Sequence, residues 1–151
     1  MRVPLAVATG LGVGYVPFAP GTFGSALGLV LWLALPADPL IQAVVIAGVS
    51  AAGVWSSGLA ESHFQGTDPG PVVIDEVMGM LITLFLNPVG GWGAFVAFLL
   101  FRVADVVKPF PSNRLEGLPG GIGVMADDAM AAVYANLALR VALMLIHRVI
   151  G

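Results

Sequence analysis

The sequence predicts an all-α fold, a polytopic membrane helix bundle in a single domain spanning residues 1–151, and three observations predict it. Hydrophobic residues make up 58% of the chain and charged residues only 10%, against roughly 25% charged in ordinary globular domains. Mean hydropathy is +0.97. Five apolar stretches are separated by short segments rich in proline and glycine, residues that end helices for steric and hydrogen-bonding reasons. About five main helices are expected: Phe23–Leu35, Leu40–Leu59, Val72–Leu86, Gly91–Val107 and Ala129–Ile150.

Met1–Thr9 carries one basic residue and a proline, too little for a signal peptide, and is read as mature chain. The run Gly10-Leu-Gly12-Val-Gly14 has no preceding strand and no following Gly-Lys-Ser/Thr, so it is given a packing role. A helix needs about 20 residues to cross the hydrocarbon core. Phe23–Leu35 and Val72–Leu86 are shorter than that, so they are expected to be short, half-inserted helices beside a cavity that dips into the bilayer. Alternate crossings place the segment before Phe23 and the loops Glu61–Pro71 and Lys108–Asp128 on one side, with the turns at Pro36 and Pro88 opposite. The first side carries Arg2, Lys108 and Arg114, so it is assigned to the cytoplasm. Arg140 falls within the last helix and must snorkel, pair or line a cavity.

The charges locate the chemistry. Eleven of the fifteen Asp, Glu, Lys and Arg residues fall in two windows, Glu61–Glu76 and Arg102–Asp128. Ionisable groups on an apolar background are costly unless they pair, bind metal or face water. The net charge of −3 and the dispersed basic residues leave no footprint for nucleic acid. With no cysteine, disulfides, thiolate nucleophiles and thiolate metal sites are excluded.

Four segments carry the candidate residues. Pro20-Gly21-Thr22-Phe23-Gly24-Ser25 leads into the first apolar stretch, with Thr22 as the expected N-cap and glycines that admit a phosphate to the helix N-terminus. Taken alone, it reads more readily as a capped entry turn with glycines packed against a neighbouring helix. Ile74-Asp75-Glu76 puts two carboxylates at a helix start, where oxygen ligands suit a hard cation such as Mg²⁺. Arg102, Asp105 and Lys108 recur every three residues and share a helix face, either as an ion-pair ladder or as a metal ligand flanked by two phosphate-binding cations. Gly120-Gly-Ile-Gly123 precedes Asp127-Asp128, expected at the cap and first turn of the last helix. Converging on one side, five carboxylates would repel one another and raise one another's pKa, which a bound Mg²⁺ would relieve.

Together these segments resemble the bacterial phosphatidylglycerophosphatase A family. The residues that carry the resemblance are Pro20–Ser25, Ile74–Met80, Phe101–Pro111 and Gly120–Asp128, in the family's order and approximate spacing. The resemblance implies an inner-membrane, Mg²⁺-dependent enzyme that hydrolyses phosphatidylglycerophosphate to phosphatidylglycerol on the cytoplasmic side. It assigns Asp75, Glu76, Asp105, Asp127 and Asp128 to the acidic set, Arg102 and Lys108 to the basic set, and Gly21, Thr22 and Ser25 to the phosphate-binding loop. Ala104, Ala132 and Ser112 depart from the family's usual aromatic, glycine and isoleucine, and leave the charged set intact.

The expected chemistry is metal-assisted phosphomonoester hydrolysis, with Arg102 and Lys108 stabilising equatorial charge. Asp127 or Asp128 is the expected general base and Asp75 and Asp105 the expected ligands, although these roles could exchange; the nucleophile is either water or an aspartate. Two rivals stand beside this reading: another lipid-phosphate phosphatase, such as one acting on phosphatidic acid, and an ion or proton transporter whose buried acids form a pathway.

Overall fold

The computed structural model describes residues 1–151 and contains seven α-helices and no strand. In chain order they are α1 (Arg2–Ala8), α2 (Pro20–Ala34), α3 (Pro39–Phe64), α4 (Ile74–Leu84), α5 (Gly91–Val107), α6 (Ser112–Leu115) and α7 (Gly121–Ile150). The five expected helices are present, and α1 and α6 are additional. Apolar side chains cover much of the outer surface, including Val44, Trp55, Phe95, Leu99, Leu137 and Leu145. Both α3 and α7 are long and apolar enough to cross a membrane, and α2 is apolar but only 15 residues long. These features indicate association with a membrane.

The short helix α4 lies inside the bundle, in contact with α2, α3, α5 and α7. Nine of its eleven residues are buried. Its 11 residues rise only about 16 Å, so both ends stop within the bundle and need polar partners there. Two apolar clusters hold it. Met80 and Leu84 pack with Phe101, Ala131, Ala135 and Leu139, between α5 and α7. Ile74, Val77 and Met78 pack with Ala8, Ala60, Val124 and Met125, from α1, α3 and α7.

The C-terminal carbonyls of α4 are satisfied by α7. Asn136 Nδ2 donates to the carbonyls of Ile82, Thr83 and Phe85 at 2.9, 3.0 and 2.8 Å. Asn87 Nδ2 adds a bond to Thr83 O at 3.1 Å. A helix end withdrawn from water requires such donors. Two asparagines in apolar surroundings thereby fix where α4 stops.

Two local expectations are corrected. Thr22 is not an N-cap: α2 begins at Pro20, and Ala19 caps it in the left-handed conformation with φ 46°. The fixed φ of proline suits the first helical position, which moves the start three residues back. Asp127 and Asp128 do not cap α7 either, because the helix begins at Gly121 and both acids lie in its second turn. The glycine segment was expected to be loop. A Cβ on Gly121 would fall on the Val54 carbonyl and Gly58 nitrogen of α3, so the close approach of two helix backbones draws this segment into α7 and outweighs glycine's low helix propensity.

The expected sorting of the loops to two ends is seen. The turn after α2 and the segment before α5 meet at one end, where Trp32, Ala37, Gln42 and Pro88 line a common cavity. At the other end, Val73 N–H donates to Ala8 O at 2.9 Å, and Gly14 lies against the backbone of Pro71. The polar site opens at this second end.

Candidate active site

The site is assembled from three helices. Asp75 and Glu76 occupy the first turn of α4, where the partial positive charge of the helix end favours carboxylates. Asp105 comes from the last turn of α5. Asp127 and Asp128 come from α7. Asp75, Asp105, Asp127 and Asp128 are each no more than 8% exposed. Their oxygens form two triads, Asp75/Glu76/Asp128 and Asp105/Asp127/Asp128, each with ligand atoms within 4.8 Å of one another. Adjacent helical residues point about 100° apart, yet Asp75 and Glu76 do reach a common partner, because Asp128 approaches from another helix.

The two cations do not saturate this set. Arg102 Nη1 binds Asp105 Oδ2, and Lys108 Nζ binds Asp127 Oδ2. Asp75 Oδ1, Glu76 Oε2, Asp127 Oδ1 and Asp128 Oδ2 are buried and have no hydrogen-bond partner. Buried carboxylate oxygens are ordinarily hydrogen-bonded or metal-bound. Four such oxygens, on residues that form the two triads and offer oxygen ligands only, fit a hard divalent cation.

Lys108 is placed by the end of α5. It adopts the left-handed conformation with φ 51°, and its N–H closes on Ala104 O at 2.9 Å. Pro109 cannot continue the helix. Glu116 flanks Lys108 Nζ at 3.4 Å. Burial acts to lower the Lys108 pKa, but the bond to Asp127 and the surrounding carboxylates outweigh it, and the pKa is raised above the ordinary lysine value.

The α2 segment behaves unevenly. A Cβ on Gly21 would come within 2.6 Å of Glu76 Oε1 and 3.2 Å of Arg102 Nη1, so this glycine is the wall of the site. Its backbone N–H has no acceptor within the protein. Thr22 is half-buried next to it. Ser25 is fully buried, and its hydroxyl donates to Gly21 O at 2.9 Å. In this arrangement the Ser25 hydroxyl is bonded to its own helix and holds the Gly21 turn.

Three polar residues that sequence reasoning passed over belong to the surroundings of the site. Asp68, in the loop after α3, has a pKa raised by desolvation first, against the attraction of Lys108, with Asp127, Asp105 and Glu116 adding to the rise. Its own N–H is held by Glu61 Oε1 at 3.0 Å. Glu116 is the second. Ser112, fully buried, donates from Oγ to Asp127 O at 3.0 Å and pins the turn of α7 that carries both aspartates. Asp68 and Glu116 lie inside the two charge windows, which was the available signal; for Ser112 it was the departure from the family's usual isoleucine. His63 and His147 belong to neither triad.

An all-helical, membrane-associated protein with a buried carboxylate cluster, two adjacent cations and a glycine wall is of the class equipped to handle a phosphate ester beside a divalent cation. Comparison with known proteins narrows the class. The family model described as Phosphatidylglycerophosphatase A matches residues 6–143. A Bacteroides thetaiotaomicron protein provisionally named a phosphatidylinositol-3-phosphatase is 39% identical over 149 residues, covering 93% of each chain. The phosphatidylglycerophosphatase A of Escherichia coli is 35% identical over 84% of this chain and 76% of its own. That of Haemophilus influenzae is 35% identical over 85% and 82%. No solved structure matches. The chain belongs to the phosphatidylglycerophosphatase A family.

Proposed function

We propose that this chain is a multi-pass inner-membrane phosphatase that hydrolyses phosphatidylglycerophosphate to phosphatidylglycerol and phosphate, with its site open to the cytoplasm. The observation that carries the reading is the pair of carboxylate triads with four unpartnered oxygens beside Arg102 and Lys108. Family membership supports the substrate. The apolar lengths of α3 and α7 and the gathering of the chemical segments at one end support the membrane topology, and Arg2, Lys108 and Arg114 support a cytoplasmic face.

Asp75, Glu76, Asp105, Asp127 and Asp128 would hold Mg²⁺, with Asp128 common to both triads. Bound there, Mg²⁺ would supply charge neutralisation to the phosphate and lower the pKa of an attacking water. Arg102 offers a planar fork and Lys108 a point charge to the equatorial oxygens. The Gly21 N–H at the α2 terminus adds a donor for the same anion. With water as nucleophile, its oxygen bonds to phosphorus and its proton passes to a carboxylate oxygen left free of the cation, Asp127 Oδ1 if the other four acids hold it. The bond to the glycerol oxygen breaks, and that oxygen takes up a proton to leave as the hydroxyl of phosphatidylglycerol. With an aspartate as nucleophile, a phosphorylated protein forms first, so isotope from labelled substrate phosphate appears on protein before it appears in solution.

The test is phosphate release by purified protein in detergent, with Mg²⁺ and with chelator, beside Asp105→Asn. Chelator is expected to abolish release, and the variant to lower it on the order of 10²-fold. Release that persists in chelator would overturn the metal assignment. The relative named for phosphatidylinositol 3-phosphate favours a second substrate reading on the same site, since both lipids present a phosphomonoester. A side-by-side kcat/KM comparison of these two lipids and phosphatidic acid decides between them. A transporter would space its acids through the membrane depth; here they meet within two triads.

A further inference from the structure

The five carboxylates of the cluster are too spread out to serve a single cation as they stand. Magnesium binds oxygen at about 2.0–2.1 Å, so two oxygens on one ion lie at most about 4.2 Å apart. The acidic oxygens that come within 4.8 Å of one another fall into two sets, Asp75/Glu76/Asp128 and Asp105/Asp127/Asp128, and neither set holds both Asp75 and Asp127. Each set has its own buried oxygens without a hydrogen-bond partner. Asp75 Oδ1, Glu76 Oε2 and Asp128 Oδ2 belong to the first set, and Asp127 Oδ1 and the shared Asp128 to the second. Asp75, Asp127 and Asp128 are each no more than 3% exposed.

The sets differ in what the protein itself brings to them. No ion pair reaches Asp75, Glu76 or Asp128. In the second set Arg102 is bound to Asp105, and Lys108 to Asp127. Lys108 Nζ also has Glu116 at 3.4 Å, so its charge is already neutralised before any phosphate arrives. Charge balance points the same way. Five carboxylates against Arg102 and Lys108 leave the cluster three negative. One divalent cation would leave it one negative, which repels a phosphomonoester carrying about −1.5 to −2 at neutral pH. Two would leave it one positive, which attracts the same group.

We propose that the cluster holds two divalent cations bridged by Asp128, the first on Asp75 and Glu76, the second on Asp105 and Asp127, where it releases Arg102 and Lys108 to the substrate phosphate. Asp128 serves both because a carboxylate offers two oxygens. The first ion binds more tightly, since its three carboxylates carry no protein cation, whereas the second must displace two. Asp127 holds its ion through Oδ1, and the oxygen free to accept the proton of water is then Oδ2, which Lys108 leaves. The proposal rests on the divalent-cation assignment above and extends it to the number and order of the ions.

The test is binding of Mn²⁺, an oxygen-liganded stand-in for Mg²⁺, to the full chain in detergent. Calorimetry reads the stoichiometry and electron paramagnetic resonance the coupling, in wild type, Asp75→Asn, Asp105→Asn and Lys108→Gln. Wild type is expected to bind two ions in two steps, the first about tenfold tighter or more, and at full loading to give the exchange-coupled signal of a bridged pair. Asp75→Asn and Asp105→Asn are each expected to bind one ion with an uncoupled signal. Lys108→Gln removes a competitor and is expected to tighten the second step about tenfold, more than the first. One ion in wild type would overturn the proposal and leave a single-cation site standing; no bound ion would overturn the cation assignment as well. Two uncoupled ions in wild type, two ions retained by both aspartate variants, or a second step unchanged in Lys108→Gln would also overturn it. Wild type alone decides the number if the variants do not fold. No lipid enters the measurement, so a different phosphomonoester substrate leaves its result unaffected.

Discussion

Asp128 is the one carboxylate common to both triads, so its replacement tests the whole arrangement. Asp128→Asn is expected to lower phosphate release on the order of 10²-fold and to weaken Mg²⁺ binding, measured by calorimetry, more than Asp75→Asn does. Equal effects would mean that the triads do not share a ligand. Gly21→Ala is a sharper test of fit, since the added methyl lands 2.6 Å from Glu76 Oε1. Activity should fall about tenfold or more, because small displacements of positioned groups are costly, while the melting temperature stays within a few degrees of wild type. Most of this site was legible in the sequence: charges in an apolar chain are few and declare themselves. The bond from Ser25 back to the Gly21 carbonyl was not legible, because a hydroxyl in a helix can either turn back on the carbonyl four residues earlier or point outward. Asp68 and Glu116 were visible as charges but isolated among loop residues, and only the folded loops bring them to Lys108.

At the scale of elements, α4 is the unusual one, a short helix that ends inside the bundle. Its C-terminal carbonyls depend on Asn136, which donates to three of them. Asn136→Leu keeps side-chain bulk and removes every donor, leaving buried acceptors unpaired. The expected cost is about 2 kcal/mol or more, read as a lowered melting temperature in detergent, with Asn136→Ala similarly affected. Unchanged stability in both would show that these carbonyls reach water. The helix pattern itself was readable from apolar runs and proline breaks. The start of α7 was not, because it is set by Gly121 packing on the α3 backbone, a contact between residues more than sixty positions apart.

For the whole molecule, the two ends differ in chemistry, and sidedness follows. The chain has no cysteine, so single cysteines report without background. In sealed vesicles of inner membrane with the cytoplasmic face inward, Thr67→Cys should resist an impermeant maleimide until the membrane is opened, and Ala37→Cys should react at once. The reverse pattern would invert the assigned orientation and place the carboxylate cluster outside.

Composition, the apolar runs and the two charge windows determined by themselves that the chain is helical, greasy and chemically active at a few acids and bases. Each of these is a local property: hydropathy and helix-breaking act within a few residues. The tertiary structure alone decided which oxygens face one another, that Asp128 joins the two triads, that α4 is capped from α7, and that Arg140 is left without a partner. Those are outcomes of packing between distant segments, and no local pattern encodes a distance across the bundle.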